Sequence, residues 1–162
     1  YMHTQEEEES AAISTEKNID EFQEHFFEAL KQRGIENYYR AIDELLKCKK
    51  IDDNASVSFE LGKNYYSLKE YDQAKESFER SVTKKPQNQW FLLGLFNTQL
   101  KLNEREEALD TGKKIVSLNP KFREDVAKVY IGMREYKQAL KELEKLEKNG
   151  GLTLLAANMK DM

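Results

Sequence analysis

Three residues recur at one interval. Leu61, Ala74 and Pro86 return as Leu95, Ala108 and Pro120, each 34 positions on. A fixed period of this length marks a repeat architecture, in which one supersecondary unit buries its apolar face by stacking on the next. Two prolines and seven glycines in 162 residues leave most of the chain free to be helical. Val, Ile and Thr form no period-two runs, so no sheet is predicted.

The first copy, residues 55–88, reads ASVSFELGKNYYSLKEYDQAKESFERSVTKKPQN. It resembles the tetratricopeptide repeat, with Leu61-Gly62, Tyr65, Ala74, Phe78 and Pro86 where that family places its signature residues. Small residues at Gly62 and Ala74 allow two helices to approach closely, and Pro86 cannot continue a helix. The second copy, residues 89–122, is looser. Phe96 stands at the glycine position, Gln99 at the tyrosine, and Gly112 where the first copy has Phe78. A glycine inside a helix costs about 1 kcal/mol against alanine and leaves a hole, which Trp90 or Phe91 is expected to fill in part.

The resemblance implies an all-α right-handed α-α superhelix of antiparallel helix pairs, a tetratricopeptide solenoid. Its style is similar to that of bacterial members from the cytoplasm or cell envelope, and no compartment follows from that. Residues 18–53 read as a degenerate first unit, with Tyr38, Ala41, Leu45 and Cys48 standing for Tyr71, Ala74, Phe78 and Ser81, and Asp53 for the closing proline. Ile19, Phe22, Phe26 and Leu30 form its apolar stripe, and Gly34 ends the first helix. Cys48 reads as a small apolar group at a helix contact. The single cysteine excludes an intrachain disulfide.

Residues 123–148 form a shortened last unit, with helices expected over about 123–133 and 135–148. Val126, Val129 or Tyr130, and Met133 point inward from the first, and Tyr136, Ala139, Leu143 and Leu146 form the stripe of the second. Asn149-Gly150-Gly151 is a stop, and Leu152, Leu155, Met159 and Met162 suggest a terminal helix over 152–162 that caps the stack or opens another repeat. Residues 1–16, with the acidic run Glu6–Glu9, read as a disordered leader before a helical domain over 17–162. Tyr1 in place of methionine reads as a processed or excised chain.

Net charge is −4, from 26 basic and 30 acidic residues. That balance disfavours a dedicated nucleic-acid binder, which needs a basic face. No apolar run approaches the roughly 20 residues of a membrane span. No glycine loop for phosphate, G-x-S-x-G or H-E-x-x-H motif is present. Glu21 and His25 form only an i, i+4 pair, read as a surface interaction. No cofactor, metal or catalytic residue is predicted, and the chain reads as a non-catalytic protein-interaction scaffold.

In the family the first helix of each unit lines a concave groove. Carried over by position, that groove holds Glu24 and Glu28, then Phe59, Lys63 and Tyr66, then Trp90, Leu93 and Asn97, then Glu124 and Lys128. A protein or peptide partner would lie there, with Trp90 as an apolar anchor; packing between repeats is the competing role for Trp90 and Phe59. The carboxylate clamp of one family branch is missing: Asp125 stands where its third-unit arginine should be, and Glu24 and Glu28 are the first-unit candidates. The alternative functions are self-association through the terminal helix and service as an accessory domain of a larger protein.

Overall fold

The structure, a computed structural model, describes residues 2–148. Among the described residues eight helices follow one another: α1 (Met2–Gly34), α2 (Tyr38–Ile51), α3 (Ala55–Ser67), α4 (Tyr71–Lys84), α5 (Gln89–Lys101), α6 (Arg105–Leu118), α7 (Arg123–Gly132) and α8 (Tyr136–Lys148). A single 3-10 turn, Pro120–Phe122, precedes α7. Each odd-numbered helix packs on the even-numbered helix after it, and each pair packs on the next. The second, third and fourth pairs begin at Ala55, Gln89 and Arg123.

The junctions use two local devices. Asparagine enters three of the helices: Asn37, Asn54 and Asn88 each accept a hydrogen bond from a first-turn backbone N–H, meeting donors that no intrahelical carbonyl can reach. Asn119 does the same for the 3-10 turn. Within each pair, the turn between the helices holds one left-handed residue: Glu36, Lys69, Asn103 and Arg134 all have φ near 60°. None is glycine, although glycine adopts this conformation most readily.

Phe78 shows how the repeat packs. It is 2% exposed. A β-carbon at Gly62 would stand 2.7 Å from its ring, and one at Gly94 would stand 2.5 Å from it. The ring is therefore held between α3 and α5 by two missing side chains. In the next pair the arrangement is inverted. Phe96 supplies the ring from the first helix and Gly112 the gap on the second, where a β-carbon would meet Val126 at 2.8 Å and Phe96 at 3.2 Å. The hole predicted at Gly112 is thus filled by Phe96 and Val126, and not by Trp90 or Phe91. Phe96 can do this because it occupies the position of Gly62, opposite the missing ring.

Several expectations are corrected. Of the leader over 1–16, expected to be disordered, residues 2–16 are helical: α1 runs unbroken from Met2. Residues 2–33 contain no proline or glycine, and extending a helix already nucleated by its packed half avoids the cost of a new first turn. The side chains from Thr4 to Asp20 are all exposed, so packing does not hold that half. Of the α1 stripe, Phe22 and Phe26 pack into the first core cluster, whereas Ile19 and Leu30 stay exposed because no helix lies over them. Tyr136 is 52% exposed rather than part of the α8 stripe; it opens the helix, beyond the reach of α7. Val126, Val129, Tyr130, Ala139, Leu143 and Leu146 are buried. The glycine stop and terminal helix expected over 149–162 lie outside the described residues.

Candidate functional site

One hollow collects most of the predicted groove residues. α3 contributes Phe59, Lys63, Tyr66 and Ser67, and α5 contributes Trp90, Leu93, Gly94 and Asn97. Phe78 of α4 forms part of the wall, and Arg33 reaches in from the last turn of α1. The hollow has a volume of about 220 Å³. Gly94 is the reason it exists in this form. Its missing side chain lets the Phe78 ring pack directly against α5, where a β-carbon would stand 2.5 Å from it, so the ring backs the hollow while staying buried.

Each wall residue is fixed by neighbours. Phe59 lies between Phe78 and Phe91, with ring centroids 5.8 and 4.8 Å away, and the Lys63 ammonium stands 5.0 Å over it. Phe59 therefore both packs between repeats and faces the hollow. Tyr66 meets Tyr71 edge to face at 5.3 Å. Trp90 is capped at its backbone by Asn88 and its residue is 62% exposed. Trp90 thus stands in the wall of the hollow and outside the core. Lys63 pairs with Glu60 at 3.0 Å.

Glu124 and Lys128 on α7 do not join the hollow. Neither do Glu24 and Glu28; Glu28 accepts a hydrogen bond from Gln32 on its own helix. The first pair contributes Arg33 instead, one turn beyond those glutamates. Arg33 donates to Asn64 Oδ1 at 3.3 Å and to Ser67 Oγ at 3.2 Å, and stacks over Tyr38 at 5.5 Å. Sequence reasoning missed Arg33, Ser67 and Gly94. The signal for Gly94 was its cost: a mid-helix glycine needs a packing reason.

The remaining chemical groups serve packing. His25 Nδ1 lies 2.6 Å from Glu44 Oε2 across the α1–α2 contact, so its partner is Glu44 and not Glu21, which pairs with Lys17. Burial pushes the Glu44 carboxyl up, but hydrogen bonds from His25 and Lys47 outweigh it and hold the group below the usual carboxylate range. Cys48 is fully buried and its thiol donates to the Phe22 carbonyl at 3.6 Å. Burial, with the nearby Glu44 charge, pushes that thiol up to about 11. It is therefore a poor nucleophile. Among the described residues no three His, Cys, Asp or Glu side chains converge on a point that could hold a metal ion. No described helix is long and apolar enough to cross a membrane.

A tetratricopeptide-repeat family model matches residues 65–126, from the end of α3 into α7. The fold is similar to that of the MamA crystal structure, at 20% identity over 80% of each chain, with a TM-score of 0.71. MamA 41-end from Desulfovibrio magneticus RS-1 is similar at 18% identity over 78% of this chain and 74% of that one (TM-score 0.70). A tetratricopeptide repeat protein from Parabacteroides merdae is similar at 17% identity over 87% of this chain and 58% of that one (TM-score 0.77). No curated protein matches the sequence. The tetratricopeptide-repeat match is thus confined to residues 65–126, and the fold of the described residues is the all-α right-handed superhelix of antiparallel helix pairs.

Proposed function

We propose that this tetratricopeptide-repeat chain is a non-catalytic interaction module that holds a segment of a protein partner in the hollow between α3 and α5. The repeats are the coarse support: modules of this kind generally bind proteins and carry no reaction. The finer reading rests on one observation, the exposure of Trp90 beside Phe59, Leu93 and Tyr66 in a single concavity. Clustered exposed apolar side chains in a concavity mark interaction sites where a lone exposed ring does not, and aromatic rings anchor partners at low entropic cost. Glu124 and Lys128, farther along the stack, would meet a longer partner segment only after it has left the hollow.

The test uses Trp90 itself, the single tryptophan of the chain. Random peptides displayed on phage are selected on the wild-type protein and then screened against a Leu93→Arg variant, with helical circular dichroism confirming that the variant folds. Peptides that bind the wild type, shift Trp90 fluorescence and fail on Leu93→Arg support the reading. Peptides that bind both proteins equally and leave Trp90 unchanged would refute it.

A further inference from the structure

The ten residues that line the hollow include two cations, Arg33 and Lys63, and no carboxylate. The chain as a whole is acidic, with 30 Asp and Glu residues against 26 Lys and Arg. The hollow thus has the opposite sign to the protein that carries it. The two cations also differ. Lys63 is already paired with Glu60 at 3.0 Å. Arg33 meets only the neutral acceptors Asn64 and Ser67 and the Tyr38 ring, with no carboxylate in ion-pair range among the described residues. Both of its bonds leave from one nitrogen, Nη1, so the rest of the guanidinium fork keeps its donors. A guanidinium fork matches a carboxylate with two parallel hydrogen bonds.

The geometry points to the class of segment this hollow takes: a peptide with an acidic side chain close to one apolar anchor, its carboxylate on Arg33 and its anchor among Phe59, Leu93 and Trp90. This rests on the reading of the hollow as a peptide site. The space suits one anchor, since a cavity of about 150 Å³ already takes a benzene ring and this one has about 220 Å³. Lys63 stands over Phe59, between the apolar wall and the charge, so it adds field without being the primary partner. Arg33 is held in place by Asn64, which is buried and tied in turn to the Glu60 carbonyl at 2.8 Å. A positioned cation needs no reordering when the carboxylate arrives, which favours binding.

The probes are three series of N-acetylated, C-amidated ten-residue peptides free of tryptophan. Each carries one Leu or Phe anchor, with Glu, Gln or Lys placed one to three positions away. Binding to the full chain is read from Trp90 emission at low and moderate salt. The Glu series is expected to bind about tenfold tighter than the Gln series, and the Lys series weakest. Arg33→Gln should remove the Glu preference by weakening the Glu series far more than the Gln series, and Arg33→Lys should restore part of it. Circular dichroism checks that both variants fold. Equal affinity of the Glu and Gln series, or a preference that survives Arg33→Gln, overturns the inference and leaves the peptide site standing. A Gln peptide with a free C-terminal carboxylate that matches the Glu series also overturns it, by moving the anion from side chain to chain end. If no series moves Trp90, the inference and the peptide site fail together.

Discussion

Alanine at Gly94 separates two effects of similar size. Replacing a helix-interior glycine by alanine gains about 1 kcal/mol in propensity. Against this, the new β-carbon would stand 2.5, 2.7 and 2.9 Å from three atoms of the Phe78 ring. Overpacking of a filled core costs about 1–3 kcal/mol. If the ring could step aside, propensity would win and the variant would be more stable. It has no room to do so, because the other face of the ring is stopped by Gly62, where a β-carbon would be 2.7 Å away. Packing should therefore win. We expect Gly94→Ala and Gly62→Ala each to lose about 1 kcal/mol net, a fall of roughly 2–4 °C in melting temperature for a chain of this size.

The double variant tests the clamp directly. In each single variant the ring meets one new β-carbon and is pressed on the backbone of the remaining glycine, and in the double it meets a β-carbon from both helices. The loss should exceed the sum of the single losses by at least about 0.5 kcal/mol. The assay is urea unfolding followed by far-UV circular dichroism and by Trp90 fluorescence, with the denaturant slope checked for constancy. Adding Phe78→Leu should turn Gly94→Ala from harmful to neutral or favourable. Gly34→Ala is the control, since nothing lies within 4 Å of a β-carbon there, and it should not destabilise. Single variants that both stabilise, with additive effects, would refute the clamp.

Three further outcomes follow from other features. Lys69→Gly and Arg134→Gly should each raise stability by up to about 1 kcal/mol in thermal melts, because glycine relieves the left-handed backbone strain at those turns, less its larger unfolded entropy. At Asp53 burial pushes the carboxyl up, but Lys84 and Arg80 of α4 outweigh it and hold the group below the carboxylate range. A depressed folded value means stability that is full above the unfolded value of about 4 and is lost as pH falls through the folded one. Asp53→Asn should therefore flatten the acid side of the melting curve below about pH 5 and leave its slope above pH 6 unchanged. Cys48, buried and with its thiol pushed up to about 11, should resist iodoacetamide at pH 8 in the folded protein and react on unfolding; rapid labelling of the native chain would contradict its place in the α1–α2 core.

The period of 34 was legible because it is carried by residues whose roles are steric: Leu61 and Leu95, Ala74 and Ala108, Pro86 and Pro120. Their spacing makes the solenoid predictable from sequence, and Cys48 was likewise readable as packing. What escaped was anything set by two elements at once. Arg33 was missed because its place depends on how the end of α1 meets α3, and the degenerate first unit gives no register for that. Tyr136 matches the stripe by periodicity, yet sits too early in α8 to be covered. The leader's charge run was read as disorder, although a helix started by packing downstream continues through glutamates and alanines at little cost. The asparagine caps were visible in principle: Asn54 and Asn88 are themselves 34 apart, a fourth matched position.

The inverted packing at Gly62–Phe78 and Phe96–Gly112 bears on how sequences of this kind should be averaged. Consensus methods treat each column of a repeat alignment as an independent choice and keep its commonest residue. Here the two columns are one choice, a ring on either helix and a gap on the other. Averaging them separately can put rings in both, which collide, or glycines in both, which leave a void. Statistics gathered by column would score each column as variable, although the pair together follows a strict rule. A designer who joins units from such chains has to carry the pair as one character, together with Gly94 or Val126 from the unit that follows.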